Sequence, residues 1–232
     1  MTIWFVVPAA GIGTRFGGEI PKQYRCIAGR TVMEISLERL LALDPEGVVV
    51  ALHREDETWR RLPVSSDPRI GTVSGGDTRA ASVLAGLESL AGRARGDDWV
   101  LVHDVARPCV AGGDIRKLID TLGDDPVGGI LAAPVSDTLK RVVEHSQIQG
   151  TEERSHLWAA MTPQMFRYEL LCRAFVAARN DGVVPTDESA AVERLGLVPR
   201  VVLGRRDNIK ITRPEDLVVA GAIIAYQQLE NG

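Results

Sequence analysis

The stretch VVPAAGIGTRFGGEIPKQY, residues 6–24, decides how this chain is read. It completes a short apolar run, IWFVV at 3–7, closed by Pro8, the pattern of a strand buried on both faces. Gly11, Gly13, Gly17 and Gly18 then let the backbone turn tightly and approach a ligand closely. Backbone N–H groups in such a turn form a concave nest for phosphate oxygens. The glycines alone leave open which phosphate compound is held. A dinucleotide site uses G-x-G-x-x-G and a ribose-binding carboxylate after the second strand. Here Phe16 stands at the third glycine, and the second strand ends in Ala51-Leu52-His53-Arg54. The pattern G-x-x-x-x-G-K-[ST] is absent from the sequence as well.

Arg15 and Lys22 sharpen the reading, because both lie in this loop, on either side of glycines. Attack at an α-phosphate passes through a five-coordinate phosphorus with extra equatorial charge. Fixed cations stabilise that state more than the ground state, and one such contact is worth about 10³-fold in rate. The loop is therefore read as a triphosphate cradle with two catalytic cations.

The rest of the chain bounds the setting. Its 232 residues, 45% hydrophobic and 25% charged, suit one soluble domain, taken as residues 1–232. A net charge of −4 speaks against a nucleic-acid partner, which needs dense positive charge. Cys26, Cys109 and Cys172 are far apart, without a C-x-x-C pair, so free thiols in a reducing cytoplasm are expected. No signal peptide or membrane span is expected.

Beyond the loop, helical and strand patterns alternate. Helices are expected at 32–43, 78–90 (capped by Asp77), 114–122, 168–179, 187–195 and from 214. Strands are expected at 48–50, 99–102, 129–133, 200–203 and 209–211. Such alternation implies an α/β, Rossmann-like, mostly parallel sheet with helices on both faces. Ligands then bind beyond the carboxyl ends of the strands, where segments 8–24 and 103–108 both begin. Residues 137–156 break the alternation. They read as two strands, 138–142 and 148–151, around a turn at His145-Ser146. A protruding β-arm without its own core needs a partner surface, so a homodimer through 137–156 is expected.

P-A-A-G-x-G-x-R followed by P-K-Q-Y resembles the signature of the 2-C-methyl-D-erythritol 4-phosphate cytidylyltransferases, which use CTP in non-mevalonate isoprenoid biosynthesis. The resemblance continues through GGDTRAASV (75–83), VHDVARP (102–108), APVSDT (133–138), TPQ (162–164), TDE (186–188) and NIKITRPED (208–216). It implies that Ala9, Ala10, Gly11, Gly13 and Thr14 wrap the triphosphate, with Arg15 and Lys22 as catalytic cations. It places Gly76, Asp77 and Ser82 around the cytosine, and Asp104 and Val105 at the nucleotide's sugar and its junction with the second substrate. Val105 replaces the family's usual Ala. Arg107, Thr138, Arg154, Thr162 and Lys210 match the polyol phosphate site, with the arm's Thr138 and Arg154 reaching into a neighbouring subunit. Thr186-Asp187-Glu188 matches too, but is also a helix N-terminus with acids in its first turn.

The implied reaction needs no general base, because a phosphomonoester with a second pKa near ~6 is already largely dianionic. Mg²⁺ is expected, held mainly through the CTP phosphates and water with no protein ligand assigned. The implied product is 4-diphosphocytidyl-2-C-methyl-D-erythritol, with pyrophosphate released. The alternative substrate is another polyol phosphate, such as ribitol 5-phosphate. An NAD(P) oxidoreductase and a non-catalytic nucleotide sensor are the rival functions. His103 is read as a packing or hydrogen-bonding residue, His53 as solvent-facing, and Cys109 as lacking the surroundings of an activated thiol.

Overall fold

The computed structural model describes residues 1–11 and 20–230; Gly13, Thr14 and Arg15 lie outside the described residues. Strand β1 (Ile3–Ala9) opens the chain, followed by the two-residue strands β2 (Cys26–Ile27) and β3 (Arg30–Thr31). Helix α1 (Val32–Leu41) leads to β4 (Gly47–Leu52) and β5 (Ile70–Ser74). Next come α2 (Arg79–Glu88), β6 (Trp99–Val102), α3 (Gly112–Leu122) and β7 (Gly128–Pro134). The arm carries β8 (Lys140–Val142) and β9 (Ile148–Thr151). The chain closes with β10 (Trp158–Arg167), α4 (Tyr168–Asn180), α5 (Glu188–Glu193), β11 (Arg200–Leu203) and α6 (Asp216–Glu230).

Seven of these strands form one sheet in the order β11-β7-β10-β6-β1-β4-β5. All pairings are parallel except those of β10, which runs antiparallel to β6 and β7. The mostly parallel α/β reading therefore holds. Alternate residues of β1 divide between two cores. Phe5 and Val7 pack with Leu37 and Leu40 of α1 and Leu118 of α3, while Trp4 and Val6 pack with Val83 and Leu87 of α2. Helices thus cover both faces of the sheet's middle strands, while the edge strands β5 and β11 are partly open to solvent.

Several boundaries differ from expectation for identifiable reasons. Strand β1 continues through Pro8 to Ala9 rather than closing before the proline. Val6 accepts from the His103 N–H, and Pro8 faces the same side two residues later, where β6 has already ended at Val102. Its missing donor therefore costs no ladder bond. Strand β10 escapes a periodicity reading because Pro163 interrupts WAAMTPQMFR. Its ladder to β7 shifts register between Ala160 and Gln164, so the proline falls in the gap. Helix α2 is capped by Thr78, whose hydroxyl accepts from the Ala81 N–H, and not by Asp77. Residues 209–211 form no strand. Ile211 is buried and makes a single backbone bond to the Ala106 carbonyl, while Asp216 collects the N–H groups of Thr212 and Arg213 just before α6.

The arm forms as a hairpin. β8 and β9 pair antiparallel as a sheet of their own, and every residue of both is exposed. His145 and Ser146 have φ of 60° and 61°, the left-handed conformation of a tight reversal, at the expected turn. Among the described residues, no helix is long and apolar enough to cross a membrane.

Candidate active site

Strand β1 has β4 on one side and β6 on the other, so the chain's winding reverses beside it and opens a crevice at the strands' carboxyl ends. A cleft of about 550 Å³ lies there. One wall is Ala9, Ala10 and Gly11 at the end of β1, joined by Lys22. The opposite wall is Gly75, Gly76, Asp77 and Ser82, at the passage from β5 into α2. Asp104 and Val105 close it from the end of β6, and Lys210 comes from the segment before α6.

Close backbone approach explains the glycines at 75 and 76. A Cβ on Gly75 would lie 2.5 Å from the Ala10 Cβ and 2.8 Å from the Ser82 Oγ, and one on Gly76 would lie 2.5 Å from the Ala81 Cβ. Only glycine lets the two walls meet here. The Ser82 hydroxyl ties the turn together. It accepts from the Gly76 N–H at 3.2 Å and lies 3.0 Å from the Thr78 carbonyl. The far wall is held by Gln23, whose amide donates to the Ala9 carbonyl at 3.0 Å, and by Lys22, which donates to the Ile211 carbonyl at 3.2 Å.

Asp104 is the hub. Its Oδ1 accepts from the Arg79 Nε at 2.7 Å, and its Oδ2 meets the Lys210 Nζ at 2.6 Å. Its backbone N–H donates to the Thr162 Oγ1 at 3.0 Å. Burial opposes ionisation of Asp104, but Arg79 and Lys210 together outweigh it and hold the carboxyl well below the usual carboxylate range. Arg79 also forks onto Glu188, with Nη1 and Nη2 at 2.7 and 3.1 Å from the two carboxylate oxygens. Glu188 is wholly buried. Burial raises its pKa, and Arg79 opposes that rise.

His103 is structural in this geometry. Its Nε2 lies 3.2 Å from the Arg107 carbonyl, which makes Nε2 the donor and leaves Nδ1 to accept from Thr162 Oγ1 at 3.1 Å. The hydroxyl of Thr162 thus passes a hydrogen bond from the Asp104 N–H to a neutral imidazole. Burial pushes the His103 pKa down to about 4. Cys109 is also buried, and its thiol is pushed up to about 12 by that burial, the opposite of an activated nucleophile.

Of the expected residues, Ala9, Ala10, Gly11, Lys22, Gly76, Asp77, Ser82, Asp104, Val105 and Lys210 line one cleft. Thr162 and Arg107 stand just behind it. Thr162 is buried against Asp104, and the Arg107 guanidinium donates to the Asn208 carbonyl at 2.6 Å. Thr138 and Arg154 are exposed on the arm and do not line this chain's cleft; Arg154 donates to the Ser136 carbonyl. Asp187 caps α5 by accepting from the Ala190 N–H at 2.9 Å, while its neighbour Glu188 turns inward to Arg79. His53 lines the cleft rather than facing solvent alone. Arg79 and Gln23 escape sequence reasoning, although both lie inside quoted motifs.

A family model described as 2-C-methyl-D-erythritol 4-phosphate cytidylyltransferase matches residues 3–226. The chain belongs to this family. Two relatives carrying the family's name bear this out. One from Pseudomonas putida is 50% identical over 216 residues, 92% of each chain. One from Chromohalobacter salexigens is 50% identical over 228 residues, 96% of this chain and 90% of that one. Solved structures of the family agree in fold. The Francisella tularensis enzyme superposes with a TM-score of 0.84 at 33% identity, covering 96% of this chain and all of that one (100%). The Thermus thermophilus enzyme gives 0.81 at 32% identity, over 97% of this chain and 100% of that one.

Proposed function

We propose that this chain transfers a cytidylyl group from CTP to 2-C-methyl-D-erythritol 4-phosphate. The supporting observation is one cleft that joins the Ala9, Ala10 and Gly11 backbone, the Gly75-Gly76 turn and the Asp104–Lys210 pair, in a member of this family. The triphosphate lies along the end of β1, and the base lies against Gly76, Asp77 and Ser82. Asp104 receives the hydroxyls of the polyol, and Lys210 its phosphate.

A phosphate oxygen of the polyol attacks the α-phosphorus in line, forming a new P–O bond. The bond from the α-phosphorus to the bridging oxygen breaks, and pyrophosphate leaves with that electron pair. The nucleophile is already an anion, so no side chain has to remove a proton, and His103 is not required as a base. The chemical difficulty is bringing two polyanions together. Lys22 and Lys210, with Arg15 from the loop, offset that repulsion and fix the approach.

Mg²⁺ belongs to this reading as an ion carried on the triphosphate. Among the described residues, no group of three or more His, Cys, Asp or Glu side chains could hold a metal. A magnesium ion that keeps phosphate oxygens and water as ligands asks for none. Bound in that way, it would screen the phosphate charge.

The active form is a cytoplasmic homodimer joined through the 137–156 arm. Val142 and Ile148 are 54% and 64% exposed on a hairpin whose two strands are exposed at every residue, and Thr138 and Arg154 do not line their own chain's cleft. A neighbouring chain supplies the missing surface and receives both residues. The deciding experiment is pyrophosphate release across a panel of nucleoside triphosphates and polyol phosphates. Turnover is expected with CTP and methylerythritol phosphate; preference for ribitol 5-phosphate would overturn the substrate assignment, and binding without turnover would overturn the enzyme.

A further inference from the structure

On the substrate reading above, Lys210 has two duties that conflict. It is to hold the phosphate of the polyol, yet its ammonium sits 2.6 Å from Asp104 Oδ2. An incoming phosphomonoester must draw Lys210 off Asp104. That departure strips a buried carboxylate of one counter-charge, and a buried anion left unpaired is strongly destabilised. Among the described residues, the other cation in contact with the Asp104 carboxylate is Arg79, at 2.7 Å from Oδ1.

Arg79 is built to stay. It is the first residue of α2, fixed by the Thr78 cap. Its two remaining nitrogens fork onto Glu188, which is 0% exposed at the start of α5. Helix α5 is itself tied to the site strand β10. The Gln164 side chain accepts from the Ser189 N–H at 2.9 Å and donates to Asp187 Oδ2 at 3.0 Å. Gln164 lies two residues beyond Thr162, which holds the Asp104 backbone. A guanidinium with all three nitrogens engaged by two carboxylates has one orientation, which a lysine's point charge would not have.

We infer that Arg79, anchored by Glu188, is the positioning residue that keeps Asp104 compensated and in place while Lys210 transfers to the substrate phosphate. Arg79 and Lys210 balance Asp104 and Glu188 before substrate arrives. Afterwards Lys210 answers the phosphate, and Arg79 alone answers the two carboxylates. The other titratable groups around Asp104 do not replace Arg79. His103 is neutral and bonded to Arg107 and Thr162, Arg107 is turned toward the Asn208 carbonyl, and Asp187 is engaged by Gln164.

The test is steady-state pyrophosphate release between pH 5 and 8.5, varying each substrate in turn, for wild type, Arg79→Gln, Arg79→Lys and Glu188→Gln. Arg79→Gln is expected to raise the KM for methylerythritol phosphate at least tenfold and the KM for CTP by less than threefold. It should also add an acidic limb to kcat, as Asp104 gains a proton once Lys210 has moved to the bound phosphate. Arg79→Lys should remove that limb yet leave KM raised, because the charge returns without the fork. Glu188→Gln should raise KM for methylerythritol phosphate several-fold with the wild-type pH profile. Parallel rises in both KM values, or a lowered kcat with an unchanged pH profile in every variant, would overturn the inference. Should Arg79→Gln fail to fold by circular dichroism, the lysine and glutamine variants at 79 and 188 decide through KM alone. A wild type that releases no pyrophosphate would sink the activity itself, a different result from variants that match an active wild type.

Discussion

The segment that ends β6 and the arm that follows β7 both carry residues expected to meet substrate, yet their surroundings are opposite. At the end of β6, His103, Asp104 and Val105 are buried, and the side chains of His103 and Asp104 are partnered within the chain. On the arm, Thr138 and Arg154 are exposed, and the strands between them pair with each other and are exposed at every residue. Among the described residues, the half at the end of β6 is finished within one chain. The other half is displayed outward, and on the dimer proposed above its role depends on what docks against it.

Four experiments break or sharpen that contrast. Lys22→Ala removes a cation from the finished half. It should lower kcat by about 10³-fold while CTP affinity, read by calorimetry, changes far less. A loss confined to binding would remove Lys22 from the chemistry. Arg154→Ala should also be nearly inactive, and the two dead variants should rescue each other. In mixed dimers, about half of the assemblies carry one intact site, so activity should return to about a quarter of wild type. No recovery on mixing would mean that Arg154 serves its own chain.

The third concerns protons in the finished half. The folded pKa of His103 is about 4, below the ordinary value of 6.5. A depressed value of this kind gives stability that is complete above about pH 6.5 and is lost as pH falls through about 4. The amount is about 3 kcal/mol over that window. Asp104 shifts in the same direction, so its contribution disappears at still lower pH. Urea midpoints at pH 7 and 4.5 should show the loss, and His103→Gln should reduce it; an unchanged pH dependence would assign it elsewhere. The smallest effect belongs to the arm. Ile148→Asp should leave the unfolding of the isolated chain within about 0.5 kcal/mol of wild type, because the side chain is exposed. The same change should shift sedimentation toward monomer; an unaltered dimer would place the interface elsewhere.

The contrast also explains what can be read from the sequence. The arm is visible because it lacks apolar periodicity and breaks the alternation of strands and helices, and its hairpin forms at the expected turn. The β6 end is visible because a buried strand stops in polar residues. Strand β10 is hidden, since Pro163 breaks its pattern and the ladder absorbs the break with a register shift. Asp77 has the side chain of a cap, but the next residue, Thr78, does that work. The Arg79–Glu188 fork is illegible for a different reason. Its partners are 109 positions apart, and each lies in a motif with a simpler local reading, a helix start in both cases. Pairings across such distances are set by the sheet order, which local patterns do not contain.

That order has a consequence for the arm. β7 runs out of the sheet, β10 runs back beside it, and the arm is the far bend of this one ribbon. On the dimer proposed above, a second copy that grips the bend would also clamp the ribbon's base, and with it Thr162. Docking and tightening of the sheet's middle then become a single linked equilibrium. On that proposal the melting temperature should climb with the protein's own concentration, and a value that stays constant on dilution would count against the linkage.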